Sequence, residues 1–146
     1  MSKLAIPVIN VNSPVEAVGL DAQKRMAIPT KDSNVGWYKL GHKPGEAGNA
    51  VIDGHVSLTG GRQGVFYNLS KLKTGDSIVI TDDQQKQYRF NVTTSIIYSR
   101  DTFPLQDVFD GQQTRPLLKL ITCESFDTSQ KTYTDRRVVT AELAAP

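Results

Sequence analysis

The sequence predicts a mainly β protein: a closed or nearly closed barrel of seven to eight short strands, with one to three short helices. Three observations predict it. Apolar runs are short and end at turn residues, as SIVIT does at Asp82-Asp83. Gln87–Arg100 alternates polar and apolar residues at Tyr88, Phe90 and Val92, the period of a half-buried strand. Helical spacing appears clearly only over Asp101–Asp110, where Leu105, Val108 and Phe109 follow an early proline, Pro104.

In chain order, Leu4–Val11 is largely apolar and reads as the first strand, broken by Asn12-Ser13-Pro14. Ser13 suits the cap of a short helical stretch over Pro14–Lys24, with Pro14 first and Glu16 in its first turn. Met26–Pro29 is short and extended, Lys31–Asn34 is a turn, and Val35–Leu40 is a strand. Gly41–Gly48, with Pro44-Gly45-Glu46, is a loop. Asn49–Val56 reads as a buried strand with Gly54-His55 near its end. Ser57–Gly64 is glycine-rich and loop-like, and Val65–Leu72 includes a helical turn. Asp76–Thr81 and Gln87–Arg100 form a hairpin around Asp82-Asp83. Leu117–Cys123 and Arg136–Leu143 are the last two strands, joined by the polar loop Glu124–Asp135.

Composition narrows the function classes. The 146 residues suit one domain spanning 1–146, with 38% apolar and 22% charged residues. A net charge of +2, with no basic run longer than a pair, gives no electrostatic footprint for nucleic acid. A single cysteine excludes an internal disulfide. No stretch reaches 18 apolar residues, and Met1–Leu4 runs into a strand-like segment without a signal peptide.

That cysteine, Cys123, closes the apolar run LLKLITC. A thiol at the last residue of a buried strand stands at the rim of a sheet. To act as a nucleophile it needs a base or cation that favours the thiolate, and donors for the oxyanion formed on attack. The chain offers His55 in GNAVIDGHV, and Arg136 and Arg137 in YTDRRVVTAEL. Neighbouring strand residues point to opposite faces, so only one of the two arginines can face Cys123. Taken singly, each residue also has a plain reading. A lone cysteine ending a strand is often a small buried hydrophobe, His55 can be a turn residue, and paired arginines can guard an edge strand. Thr122, beside Cys123, is a further candidate for an oxyanion or substrate contact. Asp53 could orient His55, although a turn carboxylate is the simpler reading. His42 sits in a loop and reads as surface.

In conjunction these segments resemble the sortases, bacterial cysteine transpeptidases that join surface proteins to the cell wall. The family motif TLxTC is met by Lys119-Leu120-Ile121-Thr122-Cys123, with lysine in place of the first threonine. The PGExGNxVIxGH segment before the family's histidine is met by Pro44 through His55. The arginine opening the final strand is met by Arg136 in Arg136-Arg137-Val138-Val139-Thr140-Ala141, with Arg137 the alternative one residue on. The resemblance runs from about Leu4 to Leu143, and VGWYKLGHKPGE and LITCESFD look most like the small class E and class F enzymes.

The resemblance implies a sortase-like barrel and an enzyme that cuts an LPxTG-like sorting signal between Thr and Gly. Cys123 attacks, His55 carries protons, and Arg136 meets the oxyanion. The thioacyl-enzyme then passes to an amine acceptor such as a peptidoglycan precursor. It also implies a bacterial cell-surface location through an amino-terminal membrane anchor, which this chain lacks. Specificity is expected in Tyr98–Pro116, which shapes the peptide groove in sortases. No cofactor is expected: two histidines and one cysteine lie too far apart for a zinc spacing. Calcium activates some sortases through acidic loops, and the loop Val65–Lys73 has no carboxylate, so calcium independence is predicted. Two other readings stand beside it: a cysteine hydrolase that uses the same three residues with water as the main acceptor, and a non-catalytic β-barrel binding module with Cys123 buried.

Overall fold

A computed structural model describes residues 2–22, 24, 26–99, 108–109, 115–123, 126–127, 132–133 and 135–144. Among the described residues the chain forms ten strands: β1 Ser2–Ile6, β2 Val11–Val18, β3 Val35–Tyr38, β4 Gly48–Asp53, β5 Ser77–Thr81, β6 Gln87–Ser99, β7 Pro116–Cys123, β8 Phe126–Asp127, β9 Thr132–Tyr133 and β10 Asp135–Leu143. Eight of them close a barrel in the order β1-β2-β3-β4-β7-β10-β6-β5, within the expected seven to eight. The β2–β3 and β4–β7 pairs are parallel and the other barrel pairs antiparallel. Among the described residues, helical structure is confined to 3-10 turns at Pro7–Ile9, Thr59–Gly61 and Leu69–Lys71 and to Val108–Phe109. The rest of the helix expected over Asp101–Asp110 lies outside the described residues.

The first expected strand is two strands. Pro7 opens a 3-10 turn, Asn10 closes it at φ 56°, and the chain doubles back so that Ile6 pairs with Val11. The helix expected over Pro14–Lys24 is absent, because Val11–Val18 is β2. Ser13 caps nothing there; it is 2% exposed and its Oγ donates to the Ser33 carbonyl at 2.9 Å. Pro14 is tolerated because β3 joins β2 only from Val15, so one edge has no ladder at Pro14 to interrupt. Local preference for a helix cap lost to two strands competing for the same residues. The polar loop expected over Glu124–Asp135 contains the small β8–β9 ladder, with Phe126 opposite Tyr133, and Asp135 already belongs to β10.

The barrel interior is filled by Leu4, Ile6, Val35, Ala50, Ile52, Phe66, Ile78, Phe90, Leu118, Leu120 and Val139, each at most 1% exposed. Burying a side chain of this size contributes about 1.5–3 kcal/mol. A second cluster covers the outer face of β4, β7 and β10: Val51, Ile121 and Val138, under Val108, Tyr38, Tyr98 and Phe109. Tyr38 and Phe109 meet edge to face at 5.2 Å. Asn49 Nδ2 donates to the Val108 carbonyl at 3.0 Å and ties that covering segment to β4. The three central strands are therefore apolar on both faces, which is why their sequences run rather than alternate. A bulge between Thr140 and Ala141 lets β10 bend against β6.

Candidate active site

The register of the three central strands orders the residues singled out from the sequence. In the β7–β10 ladder, Cys123 is paired with Arg136 and Thr122 with Arg137. Paired positions share a face and consecutive ones alternate, so Cys123 and Arg136 occupy one face and Thr122 and Arg137 the other. The outer face is that of Ile121 and Val138, which are the next pair along it.

On the other side of β7, parallel β4 sets Asp53 beside Ile121. His55 lies beyond the end of β4, so the strand expected to reach Val56 stops earlier. The Gly54 amide still donates to the Ile121 carbonyl at 3.3 Å, one residue past the last registered pair, Asp53–Ile121. Cys123 and Arg136 thus share a row across β7 and β10, and His55 follows two residues past the end of the neighbouring β4. The rows beneath that pair are Asp53–Ile121–Val138 and Val51–Lys119–Thr140. Lys119 Nζ donates to Thr140 Oγ1 at 2.9 Å, so the departure from the family threonine lies on the same face, two rows below Cys123.

Close packing holds the turn carrying His55. The Phe66 amide donates to the His55 carbonyl at 2.9 Å, and the Gly64 amide to the Val56 carbonyl at 2.7 Å. A Cβ at Gly64 would lie 2.1 Å from the His55 carbonyl oxygen, and one at Gly54 would lie 2.7 Å from the ring of the fully buried Phe66. Glycine is required at both positions for the two segments to touch. His42 is exposed, as the loop setting implied, and its carbonyl accepts from Trp37 Nε1 at 2.9 Å.

Thr122 and Arg137 have a different setting. Thr122 is 3% exposed, and its Oγ1 has no hydrogen-bond partner among the described residues. Arg137 Nη1 donates to Ser95 Oγ at 2.8 Å.

The residue that sequence reasoning undervalued is Asp53. It ends β4 in the ladder rather than sitting in a turn. Its Oδ1 is sealed from solvent without a hydrogen-bond partner among the described residues. Burial pushes its carboxyl up to about 8, against the opposing pull of its own amide, the Arg136 charge and the Gly36 amide; Glu16 pushes the same way as burial. The available signal was an acidic residue inside the apolar run AVID.

A family profile described as a sortase domain matches residues 4–144. The chain belongs to the sortase family. Among solved structures, this sortase is similar to sortase A from Corynebacterium diphtheriae in a lid-mutant form, at TM-score 0.75 and 23% identity, covering 100% of this chain and 70% of that one. The unmodified sortase A of that organism aligns at TM-score 0.74 and 22% identity, covering 100% of this sortase and 61% of its counterpart. Sortase C-1 from Actinomyces oris (formerly Actinomyces naeslundii) aligns at TM-score 0.75 and 24% identity, covering 99% and 74%. These likenesses establish the sortase fold, and the sortase spans less than two thirds of the unmodified sortase A chain. No curated protein matches it. No helix among the described residues is long and apolar enough to cross a membrane.

Proposed function

We propose that this sortase is a cysteine transpeptidase of the class E or class F kind. It cuts an LPxTG-like sorting signal between Thr and Gly and passes the acyl group to an amine such as a peptidoglycan precursor at the bacterial surface. The observation that carries the reading is the Cys123–Arg136 ladder pair, with His55 two residues past the end of the strand on the other side of β7. A candidate nucleophile and a candidate cation are ladder partners, and a candidate proton carrier follows the neighbouring strand, in a chain that belongs to the family over residues 4–144.

The chemistry follows from the residue types. The Cys123 thiolate attacks the threonine carbonyl carbon, and the carbonyl π electrons move onto oxygen. Arg136 meets that oxyanion with charge-assisted hydrogen bonds. His55 as imidazolium gives its proton to the departing glycine nitrogen, and the C–N bond breaks to leave a thioester. The incoming amine, losing its proton to neutral His55, attacks the thioester, and the Cys123 thiolate leaves. Arg136 is preferred over Arg137 because Arg136 is the ladder partner of Cys123.

The test is mass spectrometry of the protein with an LPxTG peptide library and triglycine, beside Cys123→Ala. Ligated product from the native chain alone supports transpeptidation and reports the preferred motif. Cleavage without ligation turns the reading to a hydrolase. No turnover, with Cys123 also inert to iodoacetamide, leaves a binding module.

A further inference from the structure

We propose that Asp53 is a positioning residue for Arg136. From the outer face of β4, one row below the Cys123–Arg136 pair, its carboxyl sets where the guanidinium rests and so how well it meets an oxyanion. The inference rests on the reading of Arg136 as the oxyanion donor.

The site for this carboxyl is built by its neighbours. Asp53 is paired with Gly36 of β3 on one side and with Ile121 of β7 on the other. Gly36 has no side chain, and the carboxyl uses that space: a Cβ at position 36 would lie 2.7 Å from Asp53 Oδ1 and 3.0 Å from Val18 Cγ1. Ile121, Val51 and Val138 make the surrounding face apolar, each at most 4% exposed. A half-buried carboxyl whose Oδ1 is sealed among such groups without a hydrogen-bond partner among the described residues is costly, and it responds strongly to any charge nearby.

The charges acting on it come from two elements. Arg136 of β10 attracts the carboxylate across Ile121, and Glu16 of β2 repels it from the same row through Gly36. His55 follows on its own chain segment, position 123 heads the next row on β7, β3 contributes Gly36 and, further along the same face, Tyr38, and β6 contributes Tyr98, the other ladder partner of Arg136. While protonated, Asp53 leaves the Arg136 charge whole. Once ionised, it draws the guanidinium toward β4 and offsets the positive field where the oxyanion forms. Its carboxyl, pushed up to about 8, makes that change at mildly alkaline pH.

Two measurements on the native chain and Asp53→Asn test this. The first is the ratio of kcat/KM, variant over native, between about pH 6 and about pH 9, which removes every pH effect that the substitution leaves unchanged. Roughly a tenfold rise is expected, one pH unit past a midpoint near 8. The second is the 15N resonance of Arg136 Nε, assigned by its loss in Arg136→Lys. It should step with the Asp53 carboxyl 13C signal in the native chain and show no such step in Asp53→Asn. A flat ratio, or an Arg136 resonance indifferent to the Asp53 titration, overturns the proposal. The resonance decides without turnover, so failure of the transpeptidase reading would show separately, as a native chain that cuts no peptide.

Discussion

Arg136 and Arg137 are identical in chemistry and one position apart, and the β7–β10 ladder separates them by giving one Cys123 and the other Thr122. Arg136→Ala is expected to lower kcat/KM on the preferred sorting peptide by about 100- to 1,000-fold, the usual cost of losing an oxyanion donor. Arg137→Ala, losing the 2.8 Å bond to Ser95, should be felt first in thermal unfolding. Finding the larger kinetic loss in Arg137→Ala would reverse the assignment. Gly64 is the second residue of consequence. Its added Cβ would meet backbone, at 2.1 Å from the His55 carbonyl, and backbone yields less readily than a flexible side chain. Gly64→Ala should cost about 1–3 kcal/mol in urea unfolding, the range for overpacking, and should displace His55 and so lower kcat.

Among the elements, β2 and the turn before β3 depend on one carboxylate. Glu16 Oε1 accepts from the Thr30 amide at 2.7 Å, the Lys31 amide at 3.3 Å and Asn34 Nδ2 at 3.2 Å, and its Oε2 accepts from Thr30 Oγ1 at 2.9 Å. Burial alone would raise its pKa, but the hydrogen bonds from Thr30, Asn34 and Lys31 together hold it below the ordinary glutamate value. A depressed carboxylate stabilises the fold above the unfolded value and loses that contribution as pH falls through the folded one. Protection factors for hydrogen exchange at the Thr30 and Lys31 amides, taken against the intrinsic rate at each pH, should therefore fall on acidification below about pH 4.5. Glu16→Gln should show faster exchange already at neutral pH, and equal exchange in both proteins at neutral pH would remove Glu16 as the anchor of this turn.

For the molecule as a whole, Asp53 gives stability a pH dependence. Unfolded, its carboxyl releases a proton near 3.8; folded, burial delays release to about 8. Between these values the folded chain holds more protons, so this group's contribution is full below the lower value and falls as pH rises toward the upper one. The slope is at most about 1.4 kcal/mol per pH unit. Urea unfolding at pH 5 and pH 8 should show the native chain losing more stability between them than Asp53→Asn does. Parallel losses would mean that Asp53 ionises normally. A separate expectation concerns calcium: with no carboxylate in Val65–Lys73, turnover in excess chelator should match turnover with added calcium, and a large loss would defeat it.

By itself the sequence determined the β class, the hairpin around Asp82-Asp83, the buried run ending at Cys123 and the family resemblance through His55, Cys123 and Arg136. Such signals are local: turn residues, strand periodicity and short motifs depend on neighbours in the chain. Tertiary pairing decided what depends on residues far away. It made β2 of a segment whose Ser13 and Pro14 spell a helix start, because β1 and β3 needed a strand between them. It separated Arg136 from Arg137, since a face is defined only by the partner strand. It also placed the Asp53 carboxyl beside Gly36 and within reach of the Arg136 charge. Gly36 and Arg136 lie far from Asp53 along the chain, and only closing the barrel through β3, β4, β7 and β10 brings their space and charge to it.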